Sequence, residues 1–178
     1  MRALNHLLAA VNAEAVLAGG WAVWRHGFLG RVTQGVDIVL PVRCVDDFMR
    51  AARVSGFDVL PHPPGRWPKL MHKETGIQVD ILPEGQRPGA ASKPAPTLLP
   101  APSSIGADGT KLRYITLAAL IELKLAAGRA RDESDVVELV RTNPDRVEHV
   151  RRHLANAHTD YVTHFDRLVQ RAREQHDE

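Results

Sequence analysis

Short apolar runs and helical patterns alternate along the first third of the chain. Apolar residues recur every three or four positions over residues 3–13, which predicts an amphipathic helix. Apolar runs at 15–18 and 36–40 end at glycine or proline and predict two buried strands, and the run at 57–60 predicts a third. Acidic residues in the first turn and arginines near the end predict a helix over 45–54. This alternation is typical of an α/β arrangement.

Proline separates this first part from the rest of the chain. Ten of the twelve prolines lie between Pro61 and Pro102. Proline removes a backbone donor and fixes φ, so it disfavours long helices and central strands. The stretch 61–110 is therefore predicted to be loop-rich, with one strand at 76–82. Its part at 83–110 is expected to wrap over the surface or to act as a lid.

The last third of the chain carries helical apolar patterns in which acidic and basic residues are about equal. These patterns predict four helices, at about 116–127, over 134–141, beginning near Pro144, and around 161–169. We therefore expect an α/β core over 1–110 and a C-terminal helical region over 111–178 that packs on the core.

Composition narrows the class of protein without indicating a partner. The chain has 178 residues, of which 44% are hydrophobic and 25% charged, as in soluble globular proteins. The 23 Lys and Arg against 21 Asp and Glu give a net charge of +2, which does not by itself favour nucleic acid or membrane binding. The single cysteine, Cys44, excludes an internal disulfide framework. No apolar run approaches the roughly 18 residues of a membrane span, so a cytoplasmic protein is expected.

Two aspartates interrupt apolar strands. Asp37 lies within the run 36–40, and Asp80 lies within the predicted strand 76–82. A carboxylate among β-branched residues is destabilising unless it is hydrogen-bonded, paired or bound to a metal. If the two strands are neighbours, both carboxylates can converge on one Mg²⁺, a hard cation that prefers oxygen ligands. The alternative is an aspartate at an exposed edge of the sheet.

Three further features have both a chemical and a structural interpretation. Gly19-Gly20 separates a strand from a helix, so its backbone either approaches a phosphate or only forms a tight turn. Lys124 lies beside an apolar helical stripe and either reaches a phosphate or extends its ammonium into solvent. His149 and His153 share a helix face, but without a third ligand a solvated surface is favoured over a metal site.

Three blocks in this order resemble the nucleotidyltransferase superfamily, in particular its AbiEii-type and related minimal members. The first is LAGGWAVWRHG at 17–27, followed by the strand VDIVLP at 36–41. The second is QVDILPEG at 78–85, and the third is LIELKLAAGRARDESDVVEL at 120–139. Together they match a glycine pair that opens a helix, an aspartate strand, a later aspartate strand, and a basic helix that ends in an Arg–Asp–Asp pattern.

The resemblance implies a fold and a chemistry. The fold is a nucleotidyltransferase-like small mixed sheet flanked by helices, with a C-terminal helical bundle. In this superfamily an Asp-x-Asp pair and a third aspartate hold Mg²⁺ while an acceptor hydroxyl attacks the α-phosphorus of a nucleoside triphosphate. Asp37 and Asp80 then become the catalytic and metal-binding residues. The residues implied for nucleotide binding are Gly19, Gly20, Arg31, Thr33 and Lys124.

The sequence departs from this pattern at one position. The first aspartate of the Asp-x-Asp pair belongs two residues before Asp37, and that position is Gly35. Residues i and i+2 of a strand point to the same face, so glycine removes one metal ligand. Asp46, Asp47 and Glu84 are candidates for a carboxylate recruited from elsewhere. Loss of a group that acts on the transition state commonly lowers the rate by about two or more orders of magnitude.

Two functions follow from this pattern. The first is a protein that binds Mg²⁺ with a nucleoside triphosphate and whose transfer to a hydroxyl of RNA, protein or a small molecule is weak or lost. The second is a non-catalytic pseudoenzyme that acts as a protein-interaction module, for example in a toxin–antitoxin type of system. The near-neutral charge disfavours a large RNA interface, which normally shows a basic stripe.

Overall fold

The computed structural model describes residues 1–63 and 65–174, and these group into two compact units whose segments alternate along the chain. The first unit comprises residues 1–22, 32–86 and 99–115. The second comprises 23–31, 87–98 and the chain from 116 onward. The predicted division at residue 110 stays a prediction.

Strands, with a few helices among them, make up the chain to Ile115, and helices follow. Within the described ranges the strands are β1 (Ala15–Ala18), β2 (Gly35–Leu40), β3 (Phe57–Leu60), β4 (Lys69–His72), β5 (Gln78–Pro83), β6 (Gly89–Ala90), β7 (Lys93–Pro94), β8 (Gly106–Gly109) and β9 (Leu112–Ile115). The helices of the same ranges are α1 (Arg2–Ala10), α2 (Gly19–Arg25), α3 (Val45–Val54), α4 (Pro102–Ile105), α5 (Leu117–Ala127), α6 (Ala130–Thr142), α7 (Val147–Ala157) and α8 (Thr159–Glu174). Single 3₁₀ turns at Val42–Cys44 and Pro144–Arg146 lead into α3 and α7.

The first unit is built on one mixed sheet. Its strand order is β3-β4-β5-β2-β1-β9-β8. The pairs β2–β5 and β1–β9 are parallel, and the other neighbours are antiparallel. The predicted fold class, a mixed sheet flanked by helices with a C-terminal helical bundle, is confirmed. The sheet was expected to be small, and it has seven strands.

One face of the sheet forms the hydrophobic core of the first unit. Along β2 the buried residues Val36, Ile38 and Leu40 alternate with the residues that point the other way. They pack in one cluster with the leucines of α1 and with Phe48 of α3. Burial of each such side chain contributes about 1.5–3 kcal/mol, so this face fixes the register of the central strands.

The opposite face of the sheet carries polar side chains in its central strands. Burial alternates along β5, with Val79 and Ile81 in the core and Gln78 and Asp80 half-buried on the other side. Since side chains alternate with a period of two, Asp37 lies on this same face of β2. The polar residues of this face are therefore held by strands whose other side is anchored in the core.

The second unit is a bundle of α5, α6, α7 and α8. α5 is buried almost all round and begins at Thr116, whose side-chain oxygen accepts a hydrogen bond from the Ala119 amide at 3.4 Å. It ends at Gly128, which adopts φ +64° as a left-handed cap. The β6–β7 ribbon also belongs to this unit, and the chain after it is tied to α8 by a 2.8 Å hydrogen bond between Thr97 Oγ1 and the Tyr161 hydroxyl.

Several predicted elements are confirmed and some bounds are corrected. The helix at 45–54 and the strands at 15–18 and 57–60 have the predicted bounds. The first helix ends at Ala10 rather than at 13, because Asn12 turns the chain with φ +48°. The helix predicted over 134–141 already begins at Ala130.

The prediction of only one strand within 61–110 is wrong. β4 and β8 also join the main sheet, and β6 and β7 form a separate ribbon. These strands have two to four residues each, which is too short for an alternating pattern to stand out among the prolines. Separately, in the part of the chain that the structure describes, every helix is too short or too polar to span a bilayer.

Candidate functional site

Three charged side chains lie next to one another across three strands of the first unit. In the antiparallel β4–β5 pair Lys69 lies opposite Asp80, and in the parallel β5–β2 pair Asp80 lies beside Asp37. Register partners on neighbouring strands project on the same face of a sheet. We call Lys69, Asp80 and Asp37 the charged row. The condition stated from the sequence, that the two aspartate strands are neighbours, is met.

The carboxylate of Asp80 is held by two donors. Its Oδ1 accepts a hydrogen bond from Gln78 Nε2 at 2.8 Å and lies 2.9 Å from Lys69 Nζ. The Asp80 and Lys69 side chains are 34% and 40% exposed, so water screens this ion pair in part. Neither donor was predicted. The Gln-x-Asp spacing was a usable signal for Gln78, whereas Lys69 lies on a four-residue strand in the proline-rich segment.

The Asp37 side chain packs directly on the glycine turn between β1 and α2. A Cβ on Gly19 would lie 1.8 Å from Asp37 Oδ2, and Gly19 adopts φ +61°. A Cβ on Gly20 would lie 2.6 Å from the Cβ and the Oγ1 of Thr33. Only glycine lets these two side chains approach so closely, so packing alone accounts for the glycine pair. A role for these glycines in phosphate binding stays a prediction.

Gly35 opens β2 two residues before Asp37 and pairs with Gln78. A Cβ at this position would meet just the Gln78 carbonyl oxygen, at 3.4 Å. The nucleotidyltransferase pattern places an aspartate at this position. The chain has glycine instead, although the backbone has room for a Cβ. In the part of the chain that the structure describes, no group of three or more His, Cys, Asp and Glu side chains could hold a metal ion.

Asp46, Asp47 and Glu84 were considered as replacements for the missing carboxylate, and they do not join the charged row. Asp46 and Asp47 lie in the first turn of α3, which packs on the core face of the sheet. Asp47 also pairs with Arg50. Glu84 follows the last residue of β5, four positions beyond Asp80, and its amide donates to the Leu40 carbonyl at 2.9 Å. None of the three belongs to a group of described side chains that could bind a metal.

Lys124, expected at the triphosphate, lies in a buried ion network of the second unit. Its ammonium is 3.0 Å from Asp132 Oδ1 and 2.6 Å from Asp135 Oδ2, and its side chain is 6% exposed. Arg31 Nε lies 2.7 Å from Asp135 Oδ1, and Arg129 Nε lies 2.6 Å from Asp132 Oδ2. We call these five residues the ion network. The alternative of a lysine that extends into solvent is wrong, and phosphate binding by Lys124 and Arg31 stays a prediction.

Two opposing effects act on the pKa of Asp132. Burial raises the pKa of this carboxyl. The hydrogen bond from Arg129 and the charge and hydrogen bond of Lys124 outweigh that effect, so the pKa lies below its ordinary value. Asp132 is therefore ionised when the bundle is folded at neutral pH, as a structural ion pair requires.

His149 and His153 lie on α7 of the second unit. His153 Nε2 lies 2.7 Å from Glu122 Oε2, which links α7 to α5 inside the second unit. The helix face that carries His149 and His153 was predicted to be a solvated surface. This prediction holds only in part, because His153 contacts Glu122 of α5. No metal-binding group that includes either residue occurs among the residues described.

Comparisons with known proteins give distant structural likenesses. No family model and no curated protein matches the chain. The antibiotic-resistance factor ANT(2″)-Ia in solution has a TM-score of 0.49 and 14% identity, over 99% of this chain and 90% of that one. Its crystal structure with adenylyl-2″-tobramycin gives 0.47 and 14%, over 98% and 95%. JHP933 from Helicobacter pylori gives 0.38 and 11%, over 99% and 95%. Values this low do not assign the chain to a family.

Proposed function

We propose that the chain binds a nucleoside triphosphate together with Mg²⁺ at the charged row, as a nucleotidyltransferase-like protein. The observation that supports this most is the pairing of Asp37 with Asp80. The two carboxylates are register partners on parallel strands, half-buried, on the sheet face that does not form the core of the first unit. The order of the three sequence blocks supports the same function.

The donor set fits a cation that arrives with its nucleotide. Mg²⁺ is usually bound through one or two carboxylates and the substrate phosphates, with water completing its shell. Asp37 and Asp80 supply two such carboxylates, whereas a cage made by protein alone needs more ligands than this site has. When bound, the ion supplies charge neutralisation to the triphosphate and activation of an acceptor hydroxyl.

The chain's own residues orient these ligands. Asp37 is fixed against Gly19, and Asp80 is held by Gln78 and Lys69. Such preorganisation lowers the entropy lost when a ligand binds. Thr33, whose hydroxyl donates to the Gly35 carbonyl at 3.1 Å, is proposed to contact the phosphates from the same unit.

We expect nucleotide transfer to be slow or lost because Gly35 provides no carboxylate at one of the metal-ligand positions. The acceptor of any transfer is a hydroxyl of RNA, of a protein or of a small molecule. Incubation with labelled nucleoside triphosphates and each acceptor class measures transfer directly. We propose a cytoplasmic location for this activity.

Calorimetric titration of nucleoside triphosphates in the presence of Mg²⁺ tests the binding site. Asp37→Asn and Asp80→Asn each remove one charged ligand, and we expect affinity to fall about tenfold or more for each. The matched control is Asp58→Asn on the edge strand β3, where Asp58 pairs with Lys73 at 3.4 Å outside the row. Equal affinities for the wild type and both row variants would show that nucleotide binds elsewhere or not at all.

The Gly35→Asp variant tests the missing ligand. The room at this Cβ predicts that the variant folds, and a third carboxylate should tighten Mg²⁺-dependent nucleotide binding or restore transfer. The second candidate, a non-catalytic protein-interaction module, is favoured by the absent carboxylate. It becomes the better explanation if neither the wild type nor Gly35→Asp binds any nucleoside triphosphate.

A further inference from the structure

Lys69 is placed so that its ammonium must share Asp80 with any metal ion. Its strand β4 pairs on both sides, with Leu60 opposite Lys69 on β3 and Asp80 opposite it on β5. The Ile81 amide also donates to the Pro68 carbonyl at 2.9 Å, next to this position. The Lys69 backbone is thus fixed, and its side chain meets the carboxylate 2.9 Å from Oδ1.

The two oxygens of the Asp80 carboxylate differ in their contacts. Gln78 and Lys69 both contact Oδ1, and among the described residues no donor to Oδ2 is present. Oδ2 therefore remains available to a cation that Asp37 also binds. Oδ1 is already neutralised by an ammonium that belongs to the chain.

The net charge of the charged row also favours a single metal ion. Two aspartates and one lysine sum to a net charge of −1, and Gly35 adds none. In the absence of a nucleotide, two divalent ions, with a charge of +4, would leave the row at +3. One divalent ion would leave it at +1.

We propose that Lys69 takes the place of a second divalent cation at Asp80, so that the row binds a single metal ion and binds it more weakly than it would without the lysine. This inference rests on the proposed function, because it concerns the same site. Lys69 acts here as a residue that sets metal affinity and stoichiometry. It transfers no proton and makes no covalent bond.

The test is Mn²⁺ binding, followed by the electron paramagnetic resonance signal of the free ion, with and without a non-hydrolysable nucleoside triphosphate analogue. We expect the wild type to bind one Mn²⁺ per chain. Lys69→Met should tighten that binding about tenfold, because an ammonium beside a divalent ion is repelled even in a water-like dielectric. Lys69→Gln, which keeps a hydrogen-bond donor without the charge, should show the same gain.

The matched control is Lys73→Met. It makes the same change of net charge four residues along the chain, about 13 Å further by strand spacing, and breaks the exposed pair with Asp58. Its Mn²⁺ affinity should stay within about twofold of wild type, where screening by salt limits the effect of a distant charge. In the double variant Lys69→Met with Asp80→Asn, the gain should disappear.

The possible results separate the two proposals. Binding of two Mn²⁺ by the wild type, an unchanged affinity of Lys69→Met, or an equal gain in Lys73→Met overturns the role of Lys69 and leaves the proposed function standing. If neither the wild type nor Lys69→Met binds Mn²⁺ with or without the analogue, the proposed function and this inference both fail. Thermal unfolding of each variant confirms that it is folded before binding is measured.

Discussion

Alanine at Gly19 should destabilise the first unit more than alanine at any glycine that merely has a positive φ. Gly19 adopts φ +61°, and the left-handed conformation costs a residue with a Cβ about 1–2 kcal/mol. The new Cβ would also lie 1.8 Å from Asp37 Oδ2 and 2.6 Å from its Cγ. Overpacking of this kind typically costs about 1–3 kcal/mol. We therefore expect the free energy of unfolding to fall by about 2–5 kcal/mol.

The matched control separates the conformational part from the clash. Gly76 adopts φ +66°, and a Cβ there would meet nothing within 4 Å, so Gly76→Ala should show only the cost of the backbone conformation. Urea unfolding followed by tryptophan fluorescence and by circular dichroism gives both free energies. The packing of Asp37 on the turn is refuted if Gly19→Ala lies within about 0.5 kcal/mol of Gly76→Ala. A double variant with Asp37→Ala should recover part of the loss, because it removes the two closest overlaps.

The ion network gives two more predictions. Lys124→Met leaves Asp132 and Asp135 without their buried ammonium, and loss of one partner of a buried pair costs about 3–5 kcal/mol; urea unfolding measures it, and a loss below about 1 kcal/mol would contradict the network. The lowered pKa of Asp132 means that its contribution to stability is present above its ordinary value of 3.8 and is lost as the pH falls through the folded value. An Asp132→Asn variant should show a flatter decline of stability between about pH 5 and pH 2 than wild type does, and identical slopes would argue against this ionisation.

The sequence was sufficient to identify Asp37 and Asp80 as aspartates within buried strands, and the reason is local. Asp37 and Asp80 each interrupt a run of apolar residues long enough to identify a central strand, and only central strands readily pair with one another in the core of a sheet. The alternation that buries Ile38 and Ile81 then fixes which way each carboxylate points. The pattern alone left open whether the two strands are neighbours, and the structure shows that they are.

Lys69 and the partners of Lys124 could not be found in the same way. Lys69 lies on a strand with one buried residue, Leu70, so neither its strand nor its facing direction was visible in the pattern. Lys124, Asp132 and Asp135 were all recognised as charged residues of one block. Their contact depends on how the turn at Gly128 sets α6 against α5, which the spacing of residues along each helix does not specify.

The charged row differs from a three-carboxylate site at two positions, and both differences act in the same direction. Gly35 withholds a negative charge and Lys69 adds a positive one, so the row has a net charge of −1 where three aspartates would have −3. Packing does not impose the first difference, because a Cβ at residue 35 would touch only the Gln78 carbonyl oxygen at 3.4 Å. The second is built into the sheet through the pairing of Lys69 with Asp80. A chain altered at Gly35 alone would still carry Lys69 beside Asp80. Such a chain could regain one metal ligand without regaining full metal occupancy, so the two are separate properties of this site.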